Sequence, residues 1–176
     1  MGIAAELGYE ITRPGTVRRS MQALAATRPG AWLFSKTLRH ADDVVGRLTG
    51  GRWSVPELVA GLPVIDVVTT GRRSGSPRRT HLISVPVGDT LAVLGTNFGQ
   101  PSTPAWSLNL EADPRATVSY RGRTVQVVAR AATGSEEAQV WERSAGVYGG
   151  YATYRERLGG RRRVRVFVLE PARADR

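Results

Sequence analysis

The sequence predicts an α+β protein built on an antiparallel β-barrel with flanking helices. From Leu62 onward, six short runs of apolar and β-branched residues alternate with polar residues or stop at glycine-containing turns, as strands do. Tight turns join most of these runs, which favours antiparallel pairing over βαβ units. The 176 residues suffice for one domain with a substantial core.

Each strand is predicted from its own local pattern. The β-branched run after Leu62 ends at Thr69-Thr70-Gly71, and Arg121-Gly122-Arg123 is a short hairpin signal. In the last strand valines alternate with Arg165, Phe167 and Leu169, so both of its faces are expected to be used. The predicted strands are Val64–Val68, Thr80–Val87, Thr90–Gly95, Arg115–Tyr120, Thr124–Ala132 and Val164–Leu169.

Two helices are predicted after the first strands, at 104–112 and 134–147, and Gly149-Gly150 separates the second from the stretch Tyr151–Leu158. Thr103 is placed to cap the first of these helices, at a proline that suits the first helical position. Thr133 and Glu136 form a capping-box pattern at the start of the second.

Residues 1–50 are predicted to form a helical arm, and residues 51–176 the barrel domain. Pro14 is placed to open a first helix, and a second apolar patch begins at Trp32. Two interpretations of the arm stay open. Its helices pack on the barrel, or they form a basic amphipathic segment that rests peripherally on a membrane.

Composition excludes several kinds of chemistry. The chain has no cysteine, hence no disulfide or thiolate, and it lacks zinc-hydrolase, nucleophile-elbow, P-loop and Rossmann motifs. His40 and His81 show no spaced carboxylate partner and are expected to be structural or solvated, so no metal site is predicted. Without a signal peptide or a long apolar run, the protein is expected to be cytoplasmic.

The chain is strongly basic, with a formal net charge of +10 that comes almost wholly from arginine. Such a charge favours polyanionic ligands, nucleic acid or anionic membranes. Four arginines lie within eight residues around the turn after the first strand, namely Arg72, Arg73, Arg78 and Arg79. The turn is either an anion-binding cradle, with N–H groups and hydroxyls facing one concavity, or a solvated basic hairpin.

Two further stretches carry candidate site residues. The glycine loop Gly95–Gly99 leads to a predicted helix that bears Trp106 and Asn109, where N–H groups suit an anion or a polar ring edge. Trp106 is either a stacking partner for a planar ring or a core residue. The second stretch holds Tyr148, Tyr151 and Tyr154, which either line a pocket and donate a proton or pack the helix onto the barrel.

The motif TTGRRSGxxR, followed later by PAWxLNLxAxP, resembles the deazaflavin-dependent nitroreductase family, within the split β-barrel flavin-binding superfamily. The resemblance runs from Leu48 to Pro171. It implies an FMN-binding-like split β-barrel and coenzyme F420, a deazaflavin with a phosphodiester and a polyglutamate tail. It also implies hydride transfer from the reduced cofactor to a small electron acceptor, a quinone, nitro or enone compound.

The same resemblance assigns site residues. By similarity, the phosphate and tail are held by Thr70, Gly71, Arg72, Arg73, Ser74, Gly75 and Arg78. The loop Thr96, Asn97, Phe98 and Gly99 passes the deazaflavin ring, and Pro104, Ala105, Trp106 and Asn109 lie beside the cofactor. Tyr148, Tyr151 and Tyr154 match the substrate-pocket tyrosines and are the predicted catalytic residues, Tyr148 first.

Four positions depart from the family pattern, namely Ser107, Gly149, the pair Asn97-Phe98, and His81. These departures change little in the expected cofactor class, but they leave the identity of the electron acceptor open. The alternatives are an FMN-binding split-barrel protein and a non-enzymatic basic module that carries cofactor or binds nucleic acid. No nucleic acid is expected, because no aromatic residue interleaves the basic turn. Split-barrel proteins are often dimers, which makes a homodimer an open expectation.

Overall fold

The computed structural model describes residues 2–9 and 62–172, and these form a barrel with helices at its ends and on its outer face. The elements in chain order are α1 (Ile3–Leu7), β1 (Val64–Thr70), β2 (Pro77–Val87), β3 (Thr90–Leu94), a short 3-10 turn (Asn97–Gly99), α2 (Ala105–Ala112), β4 (Arg115–Tyr120), β5 (Arg123–Ala131), α3 (Gly134–Val147), α4 (Gly150–Leu158) and β6 (Val166–Pro171).

The six strands close into one antiparallel barrel in the order β1-β2-β3-β6-β5-β4, with β4 pairing back onto β1. Every neighbouring pair is antiparallel. The predicted fold class is confirmed. Closure leaves no exposed sheet edge, which removes the usual risk of edge-to-edge association.

Strand boundaries differ from prediction where a partner strand extends the pairing. β2 begins at Pro77, three residues earlier than predicted, because Thr70 of β1 pairs with Pro77. A proline is tolerated there, since the first residue of a strand need not donate to the ladder. The β4–β5 hairpin turns at Arg121 and Gly122, whose φ angles of 47° and 84° suit a tight two-residue turn.

The barrel wall separates two hydrophobic cores. The interior is filled by one face of each strand, including Ile65, Val93 and Phe167. The opposite face of β3 and β6 packs against α3 and α4 and includes Ala92 and Val168. Both faces of β6 are therefore used, as its alternating pattern predicts.

α1 closes one end of the barrel. Ile3 and Leu7 are buried in the interior core, and the Ala4 N–H donates to the carbonyl of Asp89 in the β2–β3 turn. This short helix belongs to the predicted arm. The helix expected from Pro14, the apolar patch from Trp32 and the proposed membrane contact lie outside the described residues.

Two predicted helix caps are wrong in detail. α2 begins at Ala105 with Pro104 as its N-cap, and the Thr103 hydroxyl accepts a hydrogen bond from Arg165. Thr133 does precede α3, but its hydroxyl makes no capping bond. The Glu136 carboxylate binds the Arg130 guanidinium instead, with N–O distances of 2.6 and 2.7 Å. In both cases an arginine guanidinium binds a side chain that was expected to take part in capping: Arg165 binds Thr103 and Arg130 binds Glu136.

Within residues 2–9 and 62–172, no helix is long and apolar enough to cross a membrane. The same residues bring no three His, Asp or Glu side chains together in a group that could hold a metal ion.

Candidate functional site

The arginine turn and the glycine loop lie at the same end of the barrel. β1 and β3 run in the same direction and end at Thr70 and Leu94, where the turn 71–76 and the loop 95–104 begin. α1 packs at the opposite end, beside the β2–β3 turn. Strand direction alone thus brings together two of the stretches that the sequence assigns to the cofactor.

α2 crosses this end of the barrel. Near its start, Pro104 lies against Gly95, where an added Cβ would come within 3.5 Å of the proline ring. Asp113 follows the C-terminal end of α2. Hydrogen bonds from Arg115 hold the pKa of its carboxyl below the usual value, and a hydrogen bond from the Thr70 hydroxyl lowers that pKa by a smaller amount. α2 thus links the loop after β3 to the turn after β1.

Four backbone N–H groups of the arginine turn donate to acceptors within the turn itself. The Gly71 N–H donates to the Ser76 carbonyl at 2.8 Å, and the Ser74 and Gly75 N–H groups both donate to the Gly71 carbonyl. The Ser76 N–H donates to the Ser74 hydroxyl. The expectation that these four N–H groups face an open concavity is therefore wrong, and the arginine side chains are left as the candidate anion-binding groups.

The turn tolerates little change at its two glycines. Gly75 has a φ of +66°, in the left-handed region that glycine adopts without strain. A Cβ on Gly71 would lie 2.9 Å from the Ser74 hydroxyl and 3.0 Å from the Ser76 carbonyl. The two glycines therefore set the tight shape of the turn.

The arginines of the turn are exposed and only partly paired. Arg79 lies 3.6 Å from the Asp66 carboxylate, and Arg78 donates to the Ser74 hydroxyl at 3.4 Å. In the described part of the chain, no carboxylate forms a salt bridge with Arg72 or Arg73. Unpaired guanidinium groups of this kind suit phosphate and carboxylate oxygens.

Asn109 fastens the turn to α2. Its side chain is buried, with Oδ1 accepting the Arg72 N–H at 3.1 Å and Nδ2 donating to the Thr69 hydroxyl at 3.0 Å. That hydroxyl in turn donates to the Arg78 carbonyl. The predicted role of Asn109 beside the cofactor stays a prediction, but its polar atoms already position both ends of the turn.

We expect Asn109→Leu to lower the free energy of unfolding by about 2 kcal/mol, because it leaves the part-buried Arg72 N–H without an acceptor and the buried Thr69 hydroxyl without a donor. Urea denaturation measures the loss. Gln126→Leu is the matched control, since the Gln126 amide also bonds a threonine hydroxyl, that of Thr117, but on the exposed surface. Equal losses in the two variants would contradict the anchoring role.

The loop after β3 has an unusual backbone. Asn97, Phe98 and Gly99 have φ angles of 48°, 56° and 74°. The Asn97 side-chain nitrogen donates to the Ser102 carbonyl and hydroxyl at 3.0 Å. Arg162 donates to three carbonyls of the same loop. Arg162 was not predicted as a site residue, and its position in a run of three arginines gives no local signal of this contact.

Trp106 lies in the barrel core. It is 6% exposed, and its ring meets Phe167 edge-on at 6.0 Å. The neighbouring Ala105 is exposed and Pro104 is buried. The structure thus gives Trp106 a packing role, while its predicted contact with a cofactor ring stays a prediction.

The three predicted tyrosines come together between the helices and the barrel wall. Tyr148 and Tyr154 place their hydroxyl oxygens 3.0 Å apart, and the Tyr151 hydroxyl donates to the Ile83 carbonyl at 3.0 Å. The rings of Tyr148 and Tyr151 meet edge-on at 5.6 Å. Tyr148 itself ends α3, so the three residues meet across a helix break and not on one continuous helix.

Burial raises the pKa of these three phenols. Each is at most 4% exposed, and loss of solvation is the main cause that raises the pKa of all three. The Tyr151 hydroxyl already donates its hydrogen to the Ile83 carbonyl. In the Tyr148–Tyr154 pair one hydroxyl donates to the other, which leaves one O–H hydrogen available to a ligand.

His81 differs from its sequence-based interpretation. Its Nδ1 is hydrogen-bonded to the Asp66 carboxylate, which spacing along the chain does not reveal. The β1–β2 register places Asp66 directly opposite His81. The expectation that His81 lacks a carboxylate partner is wrong, whereas His40 lies outside the described residues.

A closed six-stranded antiparallel barrel, with an arginine turn and a strained glycine loop at one end, defines a protein of the split β-barrel type. The model of the F420H(2)-dependent quinone reductase family matches residues 37–171. The chain belongs to this family. The resemblance found in the sequence is confirmed, and the family's name carries the predicted cofactor and the predicted enzyme class.

Individual relatives agree with this assignment. An F420H(2)-dependent quinone reductase of Mycobacterium tuberculosis is 29% identical over 94 residues, which are 53% of this chain and 62% of that protein. The chain thus aligns with less than two thirds of this relative. The solved structure of an F420-H2 dependent reductase superposes with a TM-score of 0.56 at 28% identity, covering 61% of this chain and 94% of that one. A structure described as a domain-swapped dimer superposes with a TM-score of 0.58 at 26% identity, covering 81% of this chain and 99% of that one.

Proposed function

We propose that this protein is an oxidoreductase that uses reduced coenzyme F420 to reduce an electrophilic acceptor, a quinone, nitro or enone compound. The observation that carries the proposal is the pair of exposed arginines, Arg72 and Arg73, which lie on an anchored turn and form no salt bridge with a carboxylate among the described residues. A phosphodiester with a polyglutamate tail presents the several negative charges that such a turn binds.

The residues fit the cofactor in two places. The turn 70–78 supplies guanidinium groups for the phosphate and tail, while the loop 96–99 and the start of α2 lie at the same barrel end for the ring. When bound, the reduced cofactor supplies a hydride from C5 of its deazaflavin ring. Rate enhancement then comes mainly from holding the acceptor in position.

The tyrosines supply hydrogen bonding. Phenols are neutral at physiological pH, and burial raises the pKa of Tyr148 and Tyr154 further. The one O–H hydrogen that their mutual hydrogen bond leaves free donates to an acceptor oxygen. Tyr148 is the first candidate and Tyr154 its partner. Tyr151 is a positioning residue, because the Ile83 carbonyl occupies its hydroxyl.

We expect Tyr148→Phe to lower kcat for quinone reduction by about ten- to a hundredfold, the worth of one hydrogen bond to developing charge. Cofactor affinity should be unchanged. Stopped-flow oxidation of reduced F420 by a benzoquinone measures the rate. Tyr151→Phe is the matched control, since it removes a buried hydroxyl that is already engaged and should affect stability more than kcat.

Full turnover in both Tyr148→Phe and Tyr154→Phe would contradict the role of the tyrosine pair. Running the same assay with nitro and enone acceptors ranks the proposed acceptor classes. A wild-type protein that binds the cofactor but reduces none of these acceptors would favour the alternative of a cofactor carrier.

Other features of the proposal concern assembly. A homodimer is proposed because a similar structure is described as a domain-swapped dimer and covers 81% of this chain. The division into an arm at 1–50 and a barrel domain at 51–176 stays a prediction, as does peripheral membrane contact of the arm, which lies mostly outside the described residues.

A further inference from the structure

The loop after β3 holds a conformation that its residues do not favour by themselves. Asn97 and Phe98 both lie in the left-handed region, with φ angles of 48° and 56°. This region costs a residue with a side chain roughly 1–2 kcal/mol, and a bulky aromatic ring rarely adopts it. Something outside the loop must hold it in place.

Arg162 supplies that restraint. Its Nη1 donates to the Gly95 carbonyl at 2.9 Å, and its Nη2 donates to the Thr96 carbonyl at 2.8 Å. Nε and Nη2 both reach the Gln100 carbonyl at 3.3 Å. One planar guanidinium therefore binds the backbone on both sides of the left-handed residues.

The contact is specific to arginine. In the described part of the chain, Arg162 forms no salt bridge, so its charge meets carbonyl dipoles only. Arg162 is partly buried, and this burial, with the like charge of Arg165, lowers the pKa of its guanidinium. A lysine ammonium lacks the fixed fork that reaches three separate acceptors at once.

The restrained loop meets the tyrosine cluster. The Phe98 ring approaches the Tyr154 ring edge-on at 6.1 Å. A Cβ on Gly99 would lie 3.3 Å from the Tyr154 Cα, so this glycine lets the loop pack directly on α4. Moving the loop would therefore move Phe98 away from one member of the hydroxyl pair.

We propose that Arg162 is a positioning residue that fixes the 95–100 loop, and with it Phe98, in the shape that receives the planar ring of the cofactor. The proposal rests on the proposed function for the identity of that ring. Arg162 acts through the loop and not by contact with the phosphate or tail.

Hydrogen exchange of the ligand-free protein tests the restraint itself. Arg162→Met should raise the exchange rates of the Gly99 and Gln100 amides, which donate within the loop, by tenfold or more, while the β4–β5 amides stay unchanged. Arg161→Met is the matched control, because Arg161 is exposed and its loss changes net charge equally. Exchange rates in the loop that are equal in the two variants would overturn the proposal.

Cofactor binding tests the positioning role. Arg162→Met should weaken binding of oxidised F420, and of the deazaflavin riboside that lacks phosphate and tail, by the same factor of about tenfold or more, corresponding to one lost positioning contact. Arg162→Lys should recover little of either affinity. Weakened binding of F420 with unchanged binding of the riboside would overturn the proposal, since it would place Arg162 on the tail.

Failure of the proposed function gives a different result. A wild-type protein that binds neither deazaflavin defeats that function, and it also overturns the assignment of the loop to a deazaflavin ring. The exchange experiment needs no ligand, and so it still decides whether Arg162 restrains the loop.

Discussion

Replacing Arg72 and Arg78 together with alanine should weaken the binding of coenzyme F420 by about a hundredfold, because two charge-assisted contacts to the phosphate and tail are removed. The turn itself should survive. Its backbone hydrogen bonds run among Gly71, Ser74, Gly75 and Ser76, and none requires an arginine side chain. Fluorescence titration of the deazaflavin measures the affinity.

Two comparisons make this prediction specific. Arg143→Ala/Arg161→Ala removes the same charge from exposed sites outside the turn and should leave the affinity within about threefold, since exposed charges that do not contact the ligand are screened by salt. The tail-less riboside should bind the Arg72/Arg78 double variant as well as it binds wild type. Equal losses for the riboside and for intact F420 would contradict the assignment of the turn to the tail.

Trp106→Ala should lower the free energy of unfolding by about 3–5 kcal/mol, the usual cost of emptying a buried aromatic site. Trp106 lies among the interior side chains and contacts the Phe167 ring, so its loss leaves a cavity at the end of the barrel that carries the candidate site. Urea denaturation measures the change, with an unchanged m-value showing that the unfolding reaction is the same.

The control for Trp106 is Trp141, which is only partly buried on α3 and stacks against the Arg155 guanidinium at 4.9 Å. Trp141→Ala should lower the free energy of unfolding by clearly less than Trp106→Ala does. Trp106→Phe separates the two interpretations of this residue. Retained stability and cofactor affinity indicate packing, while retained stability with lost affinity indicates stacking on the cofactor ring. A loss below about 1 kcal/mol in Trp106→Ala would contradict the core role.

Local pattern is enough to predict the strands of the barrel and the position of the arginine turn. Side chains of a strand point alternately to its two faces, and the alternation in the sequence agrees with the faces in the structure. In β6, for example, Phe167 faces the barrel interior and Val168 faces the outer helices. The tight turn at Arg121-Gly122 follows from its residue types. The arginine turn is found at the predicted place for the same reason.

Contacts between distant parts of the chain could not be predicted in this way. Asn109 meets Arg72 across 37 positions, and Arg162 meets Gly95 across 67. Asp66 faces His81 only because of the register between two strands. A side chain that binds backbone atoms far along the chain leaves no periodic pattern in the sequence. Residues that position the site through such contacts, such as Asn109 and Arg162, therefore cannot be identified for that role from the sequence alone.

The turn backbone shows a second limit. Two glycines and four arginines leave open an anion cradle or a solvated basic hairpin, and the structure shows N–H groups that bond to the Gly71 and Ser76 carbonyls and the Ser74 hydroxyl. Buried or crowded N–H groups take the nearest acceptor, and the turn supplies its own. The composition of the turn indicates its charge correctly but not which atoms are free to bind.

The measurement that tests the central claim most directly is a fluorescence titration of the purified wild-type protein with oxidised coenzyme F420 and, separately, with FMN. The account predicts binding of F420 at micromolar concentration or below, and binding of FMN at least about tenfold weaker, because FMN carries a single short phosphate for an arginine-rich turn. Tighter binding of FMN, or binding of neither, would contradict it.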